Sequence, residues 1–149
     1  MFSIEIDKNI ITDVTYESVN LLYPHEKIIN KKKNFLKEKF LNTYGLFFIS
    51  SIIICNESGL IIDGHHRYFA LKELGFKKAP VTLIDYQSDS IRTGSINPLD
   101  KKYIVDIGNS SDLLEPKSTE HAVYCNNSKS WEPIILLSSM FKINTKEIT

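Results

Sequence analysis

The chain has 149 residues, 42% of them hydrophobic, and its 18 basic side chains balance its 18 acidic ones. This length and composition predict one globular domain with a substantial core and exclude a largely disordered chain. Proteins dedicated to nucleic-acid binding usually carry a basic excess, so the balanced charge predicts no nucleic-acid partner.

Cysteine content and apolar runs predict the compartment. The two cysteines, Cys55 and Cys125, are too few for a disulfide scaffold, and neither belongs to a CxxC pair. No apolar run approaches the roughly 20 residues that a membrane-spanning helix needs. The first ten residues contain acidic side chains, unlike a signal peptide. We therefore expect a cytoplasmic protein with no membrane association; the sequence does not indicate its oligomeric state.

The first predicted elements are two strands and a helix. Alternating apolar and polar residues predict a strand over residues 2–6, and a second is predicted over 16–22. Apolar residues at helical spacing predict a helix over residues 26–43. Pro24 suits the start of that helix, and Gly45 suits its end.

A β-hairpin and a second helix are expected next. The β-branched run at residues 49–55 predicts a strand that places Cys55 in the core. The turn "NESG" predicts a hairpin whose returning strand is "LIID". A helix over residues 65–75 should follow and end at Gly75. The run at residues 79–86 predicts another strand.

The remaining sequence predicts a polar loop, a short helix beginning near Leu99 or Asp100, and an irregular stretch over residues 113–124. The segment "WEPIILLSSMFK" fits either a strand or a helix. The fold class is therefore α/β (α+β), with a small mixed sheet and flanking helices. We expect one domain over residues 1–149, with a core over about 14–125 and a C-terminal extension over 126–149.

The stretch "DGHHR", residues 63–67, carries the clearest chemical signal. The start of a helix has unpaired backbone N–H groups and a partial positive charge, which favour a phosphate. Gly64 permits close approach of a ligand, His65 and His66 can donate hydrogen bonds or carry charge, and the guanidinium of Arg67 matches phosphate oxygens. Asp63 could bind Mg²⁺, which prefers carboxylate and phosphate oxygens. These residues predict a nucleotide-phosphate site.

Simpler interpretations of the same residues remain open. Asp63 could cap the helix, one histidine could be a structural hydrogen-bonding group, and Arg67 could pair with a nearby acid. Zinc is disfavoured because adjacent histidines point about 100° apart on a helix and no HxxxH or CxxC motif is nearby.

Three segments together carry a resemblance to a known family. "DGHHRYFALKELG" resembles the signature of the ParB/sulfiredoxin-like fold, and specifically of its free serine kinase branch. "LLYPHEKI", residues 21–28, looks like the segment that holds the catalytic glutamate of these kinases. "LLEPKSTEHAV", residues 113–123, looks like their C-terminal substrate-side motif. The order and rough spacing also match, over residues 17–123.

The resemblance implies a kinase that uses ATP or ADP, with Mg²⁺, to phosphorylate the hydroxyl of free L-serine and give O-phosphoserine. It places the general base at Glu26, while the helix start over residues 63–67 would bind the phosphates. Lys117, Ser118 and Thr119 would bind phosphate on the far side of the pocket, and His121 would contact the substrate.

Two departures from the family pattern lie on the substrate side. The kinases carry a tryptophan–arginine pair in the loop after the last central strand, where this chain has Ile96 and Asn97. They usually carry a basic residue before the histidine of the C-terminal motif, where this chain has Glu120. The acceptor is therefore expected to be L-serine or another small hydroxyl compound.

Two other members of the fold offer rival functions. Sulfiredoxin chemistry needs a cysteine inside the motif, where this chain has His65, so that function is rejected. A ParB-like nucleotide-binding regulator without kinase activity is the alternative hypothesis. Three further features are given structural interpretations: a local hydrogen bond for His25, packing for Trp131 and a solvated helix face for residues 31–33.

Overall fold

The structure, a computed structural model, describes residues 4–41, 46–96 and 98–144. The strands of this part of the chain are β1 (Ile11–Ser18), β2 (Leu46–Ser50), β3 (Ile52–Cys55), β4 (Ile61–Asp63), β5 (Lys78–Ile84), β6 (Ile91–Arg92), β7 (Ala122–Cys125), β8 (Ser130–Pro133) and β9 (Met140–Asn144). The α-helices are α1 (Asn30–Leu41), α2 (His65–Glu73) and α3 (Lys101–Gly108), and short 3₁₀ helices cover Val19–Leu21 and Ile134–Leu137.

A four-stranded mixed sheet lies at the centre, in the order β1-β5-β3-β4. β3 and β5 are parallel, and the outer pairs are antiparallel. Two smaller antiparallel sheets accompany it, β2-β9 and β6-β7-β8. The predicted fold class is therefore confirmed. No helix in the described ranges has both the length and the apolar character needed to cross a bilayer.

The inner strands of the central sheet, β3 and β5, are buried on both faces because they are apolar on both sides, whereas the edge strand β1 is largely exposed. Along β3, Ile52 and Ile54 join the core cluster that contains residues of α1, α2, β2 and β9, whereas Ile53 and Cys55 join the opposite cluster. All four side chains are buried. Burial of such a side chain contributes about 1.5–3 kcal/mol, so this strand is a rigid base for the residues that follow the hairpin.

The β3–β4 hairpin leads directly into α2, as predicted. Tyr68 and Leu71 of that helix pack into the core. Gly75, with φ 84°, follows the helix in the left-handed conformation that ends many helices. The "DGHHR" stretch therefore occupies the end of a buried strand and the first turn of a packed helix.

The two N-terminal strand predictions need correction. Of residues 2–6, the structure describes only 4–6, and these form no strand. Ile4 and Ile6 nevertheless pack against the core, so their alternation reflects burial without strand pairing. The strand predicted over 16–22 begins earlier, at Ile11, and Ser18 ends it by accepting a hydrogen bond from the Asn20 N–H at 3.3 Å.

The helix predicted over 26–43 begins four residues later, at Asn30. The preceding residues are extended because their backbone groups have tertiary partners. Glu26 forms a parallel bridge with Leu114, and Tyr23 forms one with Leu60. Pro24 and Glu26 therefore precede the helix, contrary to prediction, and the predicted stop at Gly45 lies outside the described residues.

The strand predicted over 49–55 is divided between two sheets. Ser51 separates β2 from β3; its N–H donates to the Ser139 carbonyl at 2.8 Å, and its hydroxyl bonds that of Thr82 at 2.7 Å. The predicted loop after β5 contains the short strand β6. The short helix is present with Asp100 as its cap. "WEPIILLSSMFK", left open above, combines strand, 3₁₀ helix and strand.

Candidate active site

A cavity of about 790 Å³ lies between the start of α2, the segment before α1 and the β6-β7-β8 sheet. The predicted site residues meet there, with one exception. Those that line the cavity are Glu26, Asp63, Gly64, His65, His66, Arg67, Lys117, Thr119 and His121. Ser118 faces a smaller cavity of about 220 Å³, and its hydroxyl donates to the Glu115 carbonyl within its own turn.

Gly64 shapes the start of α2. Its φ of 107° is a conformation that side chains disfavour, and a Cβ there would lie 2.8 Å from Nη2 of Arg67. The glycine thus lets the chain turn from β4 into the helix while the guanidinium passes close to the backbone. The N–H groups of the first turn, which lack intrahelical partners, are a suitable anion site.

The two histidines of the motif hold the Glu26 segment. His65 Nε2 accepts hydrogen bonds from the N–H groups of His25 at 3.1 Å and Glu26 at 3.3 Å. His66 Nε2 accepts from the Ile29 N–H at 3.0 Å. Because these nitrogens are acceptors, both rings position backbone in their neutral form. This differs from the expectation that they carry positive charge toward a phosphate.

Burial favours the neutral forms of His65, His66 and His121. It lowers the pKa of His65 to about 3 and, with help from the nearby His25, that of His121 to about 3. It also lowers the pKa of the more exposed His66, where Lys32 contributes. Nε2 of His121 shares a hydrogen bond of 2.8 Å with the hydroxyl of Tyr86, whose pKa burial raises. His121 is therefore a buried polar contact of the cavity wall.

These shifts predict a loss of stability in mild acid. The pKa values of His65 and His121 are depressed in the folded state, so the unfolded chain binds more protons between about pH 3 and pH 6.5. The free energy of unfolding should therefore fall as pH drops below 6.5, by about 1.4 kcal/mol per pH unit for each histidine. Urea denaturation at pH 8, 6 and 5 measures this. His121→Gln, which cannot titrate, should reduce the slope; identical profiles for the two proteins would contradict the assignment.

Glu26 is only 9% exposed and is surrounded by hydrogen-bond donors. Oε1 accepts from the Lys117 N–H at 2.7 Å, Oε2 accepts from the Thr119 hydroxyl, and Nε2 of His25 lies 3.3 Å from Oε2. Burial by itself would raise the pKa of this carboxyl, but the bonds from His25 and Thr119 outweigh it and lower the pKa to about 2. The ionised side chain has about four acceptor positions, so one position stays available for a further donor.

The turn that brings Lys117 to Glu26 has an unusual backbone. Lys117 has φ 58°, in the left-handed region that costs a non-glycine residue about 1–2 kcal/mol. Its N–H bond to Glu26 and the bond from Thr119 fasten the two ends of this turn to the same carboxylate. Glu26 thus organises the C-terminal motif as well as facing the cavity.

The guanidinium of Arg67 bonds to groups of the protein itself, whereas the sequence analysis expected it to bind phosphate. Nη1 donates to the carbonyls of Ser50 at 3.1 Å and Ser51 at 3.2 Å, and Nη2 donates to Oδ2 of Asp63 at 3.0 Å. Its side chain is 12% exposed. The guanidinium therefore joins the end of β2 to the start of α2, and only part of it faces the cavity.

Asp63 keeps one carboxylate oxygen available for a ligand. Burial and the charge of Glu26 raise its pKa against the opposing effect of Arg67, and no donor among the described residues bonds Oδ1. No group of three metal-ligating side chains occurs in the described ranges. This donor set fits Mg²⁺, which typically takes one or two carboxylates and completes its shell with phosphate oxygens and water.

Lys32 is a site residue that sequence analysis missed. It lines the cavity beside Lys117, and the proximity of that second ammonium lowers the pKa of Lys32. Lys33, by contrast, forms an ion pair with Glu73, with 2.8 Å between Nζ and Oε2. Lys31 is exposed and does not line the cavity. Adjacent helical residues point about 100° apart, so one residue of the "KKK" run faces the cavity. Within residues 4–41, 46–96 and 98–144, neither Lys32 nor Lys117 forms an ion pair.

The opposite wall carries an arginine and a tryptophan that sequence analysis did not connect. Arg92, on β6, lies over the ring of Trp131, on β8, with Cζ 4.5 Å from the ring centroid. Trp131 therefore lines the cavity in addition to packing on Tyr124. Ile96, where the resemblance would place a tryptophan, is 85% exposed and does not line this cavity; Asn97 lies outside the described residues.

Comparison with known proteins shows which chains are similar, although no family model matches this one. Over 91 residues the chain is 36% identical to an ATP-dependent L-serine kinase of Staphylothermus marinus, covering 54% of this chain and 36% of that protein. It is 31% identical over 84 residues to an ADP-dependent L-serine kinase of Thermococcus kodakarensis, covering 54% and 34%. The chain thus spans about a third of the length of these kinases.

A third relative and a solved structure cover more of the chain. A ParB-like protein of Sulfolobus acidocaldarius is 32% identical over 114 residues, covering 73% of this chain and 52% of that protein. The structure of a free serine kinase in complex with AMP superposes with a TM-score of 0.72, covering 99% of this chain and 97% of the other at 15% identity. The chain therefore shares the fold of the free serine kinase and resembles the free serine kinase branch of the ParB/sulfiredoxin-like fold.

Proposed function

We propose that this chain is a small-molecule kinase that transfers a phosphoryl group from ATP or ADP to the hydroxyl of free L-serine or a similar small acceptor. The observation that carries the proposal is the convergence on one cavity of an ionised carboxylate, a helix N-terminus and a pair of lysines. The similarity to two L-serine kinases supports the substrate class.

The proposed reaction needs positioning and charge neutralisation more than covalent help. The acceptor oxygen forms a bond to phosphorus as the bond from phosphorus to the bridging oxygen of the donor breaks, so ATP leaves as ADP or ADP leaves as AMP. The acceptor proton passes to Glu26, which has an acceptor position available. Because the low pKa keeps Glu26 ionised at neutral pH, its open acceptor position can take a hydrogen bond from the acceptor hydroxyl.

The donor phosphates would lie against the first turn of α2, Lys32 and Lys117. Asp63 would hold Mg²⁺, which supplies neutralisation of phosphate charge when bound. His65 and His66 contribute by holding the Glu26 segment next to that turn. Arg67 contributes by fixing Asp63 and the helix start.

Lys32→Gln is expected to weaken nucleotide binding by about tenfold, because it removes one of the two ammonium groups that face the proposed phosphate position. Lys31→Gln is the matched control, since it removes the same charge from the neighbouring position outside the cavity. Isothermal titration of each variant with ADP and Mg²⁺ measures the effect. Equal affinities for the two variants would mean that Lys32 does not contact the phosphates.

The direct test is an assay for product. The protein is incubated with Mg²⁺, free L-serine and either ATP or ADP, and O-phosphoserine is measured by mass spectrometry. Formation of O-phosphoserine that requires both nucleotide and protein supports the proposal and identifies the donor. Failure with L-serine and with other small hydroxyl acceptors would overturn it.

A nucleotide-binding regulator without kinase activity is the second candidate. The similarity to a ParB-like protein over 73% of the chain favours it. So does the structure of the Glu26 site, where the carboxylate is bonded by its own chain. Saturable nucleotide binding without transfer to any acceptor, together with a nucleotide-dependent change in protease sensitivity of the turn at Lys117, would support this function.

A further inference from the structure

The chain contains two arginines, Arg67 and Arg92, among sixteen lysines, and both line the same cavity. Their surroundings differ. Arg67 donates to two carbonyls and one carboxylate. The side chain of Arg92 makes no hydrogen bond or ion pair with the described residues, and its Nε is buried without a partner. Arg67 thus stabilises the fold, whereas the side-chain donors of Arg92 are available for a ligand in the cavity.

Arg92 is nevertheless held in place. Its guanidinium lies over the Trp131 ring at 4.5 Å, and Trp131 in turn packs edge-on against Tyr124 at 5.5 Å between ring centroids. The backbone of Arg92 is paired with Ala122 in the β6-β7-β8 sheet. A guanidinium stacked on an aromatic face keeps its in-plane N–H donors available. Arg92 is therefore a preorganised and unsatisfied donor in a cavity wall.

A buried donor without a partner is unfavourable, so its retention in a cavity indicates a ligand acceptor. The planar fork of an arginine matches a carboxylate through two parallel bonds. Glu120 and Glu132 line the same cavity beside β7 and on β8. Carboxylates that line the same cavity as an arginine repel a polyphosphate but suit an ammonium group. The combination is complementary to a zwitterion.

We propose that Arg92, stacked on Trp131, binds the α-carboxylate of the acceptor amino acid. An acceptor must therefore carry this carboxylate to be recognised. Glu120 and Glu132 provide the negative environment for the α-ammonium group. The acceptor then lies on the β6-β7-β8 side of the cavity, and the donor phosphates lie on the α2 side. This inference rests on the proposed kinase function and names its acceptor class.

Trp131 is the only tryptophan in the chain, so intrinsic fluorescence reports directly on this wall. The protein, saturated with AMP, is titrated with L-serine, O-phosphoserine, L-serinamide and ethanolamine. The first two have the carboxylate and should change the fluorescence saturably; the last two lack it and should bind at least about tenfold more weakly. Arg92→Gln should reduce L-serine affinity by about 10- to 100-fold and remove the preference over L-serinamide.

Two further variants complete the experiment. Arg92→Lys keeps the charge but loses the fork, so it should bind L-serine with intermediate affinity. Lys102→Gln removes an exposed charge on α3, outside the cavity, and should behave as the unmodified protein. In the kinase assay, Arg92→Gln should raise KM for L-serine while leaving the affinity for ADP unchanged.

The possible results distinguish a failure of the acceptor-site inference from a failure of the proposed kinase function. Carboxylate-dependent binding that needs Arg92, without any phosphoryl transfer, supports the acceptor site and counts against the kinase. Transfer to L-serine with a KM that Arg92→Gln does not change supports the kinase and overturns the acceptor site. Loss of ADP affinity in folded Arg92→Gln, or equal binding of L-serine and L-serinamide by the unmodified protein, also overturns it.

Discussion

Glu26→Gln is expected to lower kcat for phosphoryl transfer to L-serine by about 10²–10⁴-fold, the range typical for loss of a general base. Glutamine has nearly the same size and keeps one acceptor oxygen, but its amide cannot take the acceptor proton. In the structure, Glu26 faces the cavity beside the start of α2, and its hydrogen bonds from His25 and Thr119 lower its pKa to about 2. Glu38→Gln, an identical change at an exposed position of α1, should leave kcat unchanged.

The same substitution also tests whether Glu26 acts through the turn that it holds. The amide group would face donors that now bond a carboxylate oxygen, so the turn at Lys117 is expected to loosen. If Glu26 is a base, kcat should fall while affinity for ADP changes little. If its role is confined to holding the turn, affinity for ADP and kcat should fall together. Full retention of kcat would exclude Glu26 from both roles.

Arg67→Ala is expected to lower the free energy of unfolding by about 3–5 kcal/mol, the range for breaking a buried ion pair. It would remove the donors to Ser50 and Ser51 and leave Asp63 close to Glu26 without its counter-charge. Urea denaturation at pH 7 measures the change. Lys72→Ala, at an exposed position on the same helix, should cost less than about 1 kcal/mol.

Arg67→Lys provides the second measurement if the alanine variant fails to fold. The ammonium can pair with Asp63 but cannot bond two carbonyls at the same time, so stability should be intermediate. A fully stable Arg67→Ala variant with at least tenfold weaker ADP binding would reverse the assignment, because Arg67 would then act on phosphate and not on the fold.

The sequence predicted elements whose signals are local. The hairpin before "DGHHR", helix α2 with Gly75 after it, and Asp100 as a cap all depend on residues within a few positions of one another. The mixed sheet followed from the same local strands and helices. The resemblance brought Glu26, the α2 start and the C-terminal motif together, and all three line one cavity.

Long-range hydrogen bonds account for most of what sequence reasoning missed. The start of α1 was misplaced because the N–H groups of His25 and Glu26 bond the His65 ring, about 40 positions away. That bonding also decides the charge of His65, which no local pattern reveals. Arg92 and Trp131 are 39 positions apart and are joined by pairing within the β6-β7-β8 sheet. For Lys32, a helical wheel separates the three lysines, but it does not reveal which of them faces the cavity.

The role of Ser51 implies a temporal order during synthesis of the protein. Its carbonyl accepts from Arg67 and from the Ser138 hydroxyl at 2.9 Å, and its N–H bonds Ser139. Strand β2, one residue before it, pairs with β9. The central sheet is encoded by residues 11–84, so it leaves the ribosome long before β9 does. The β2 edge and the Arg67 junction therefore gain their last partners only when residues 138–144 emerge.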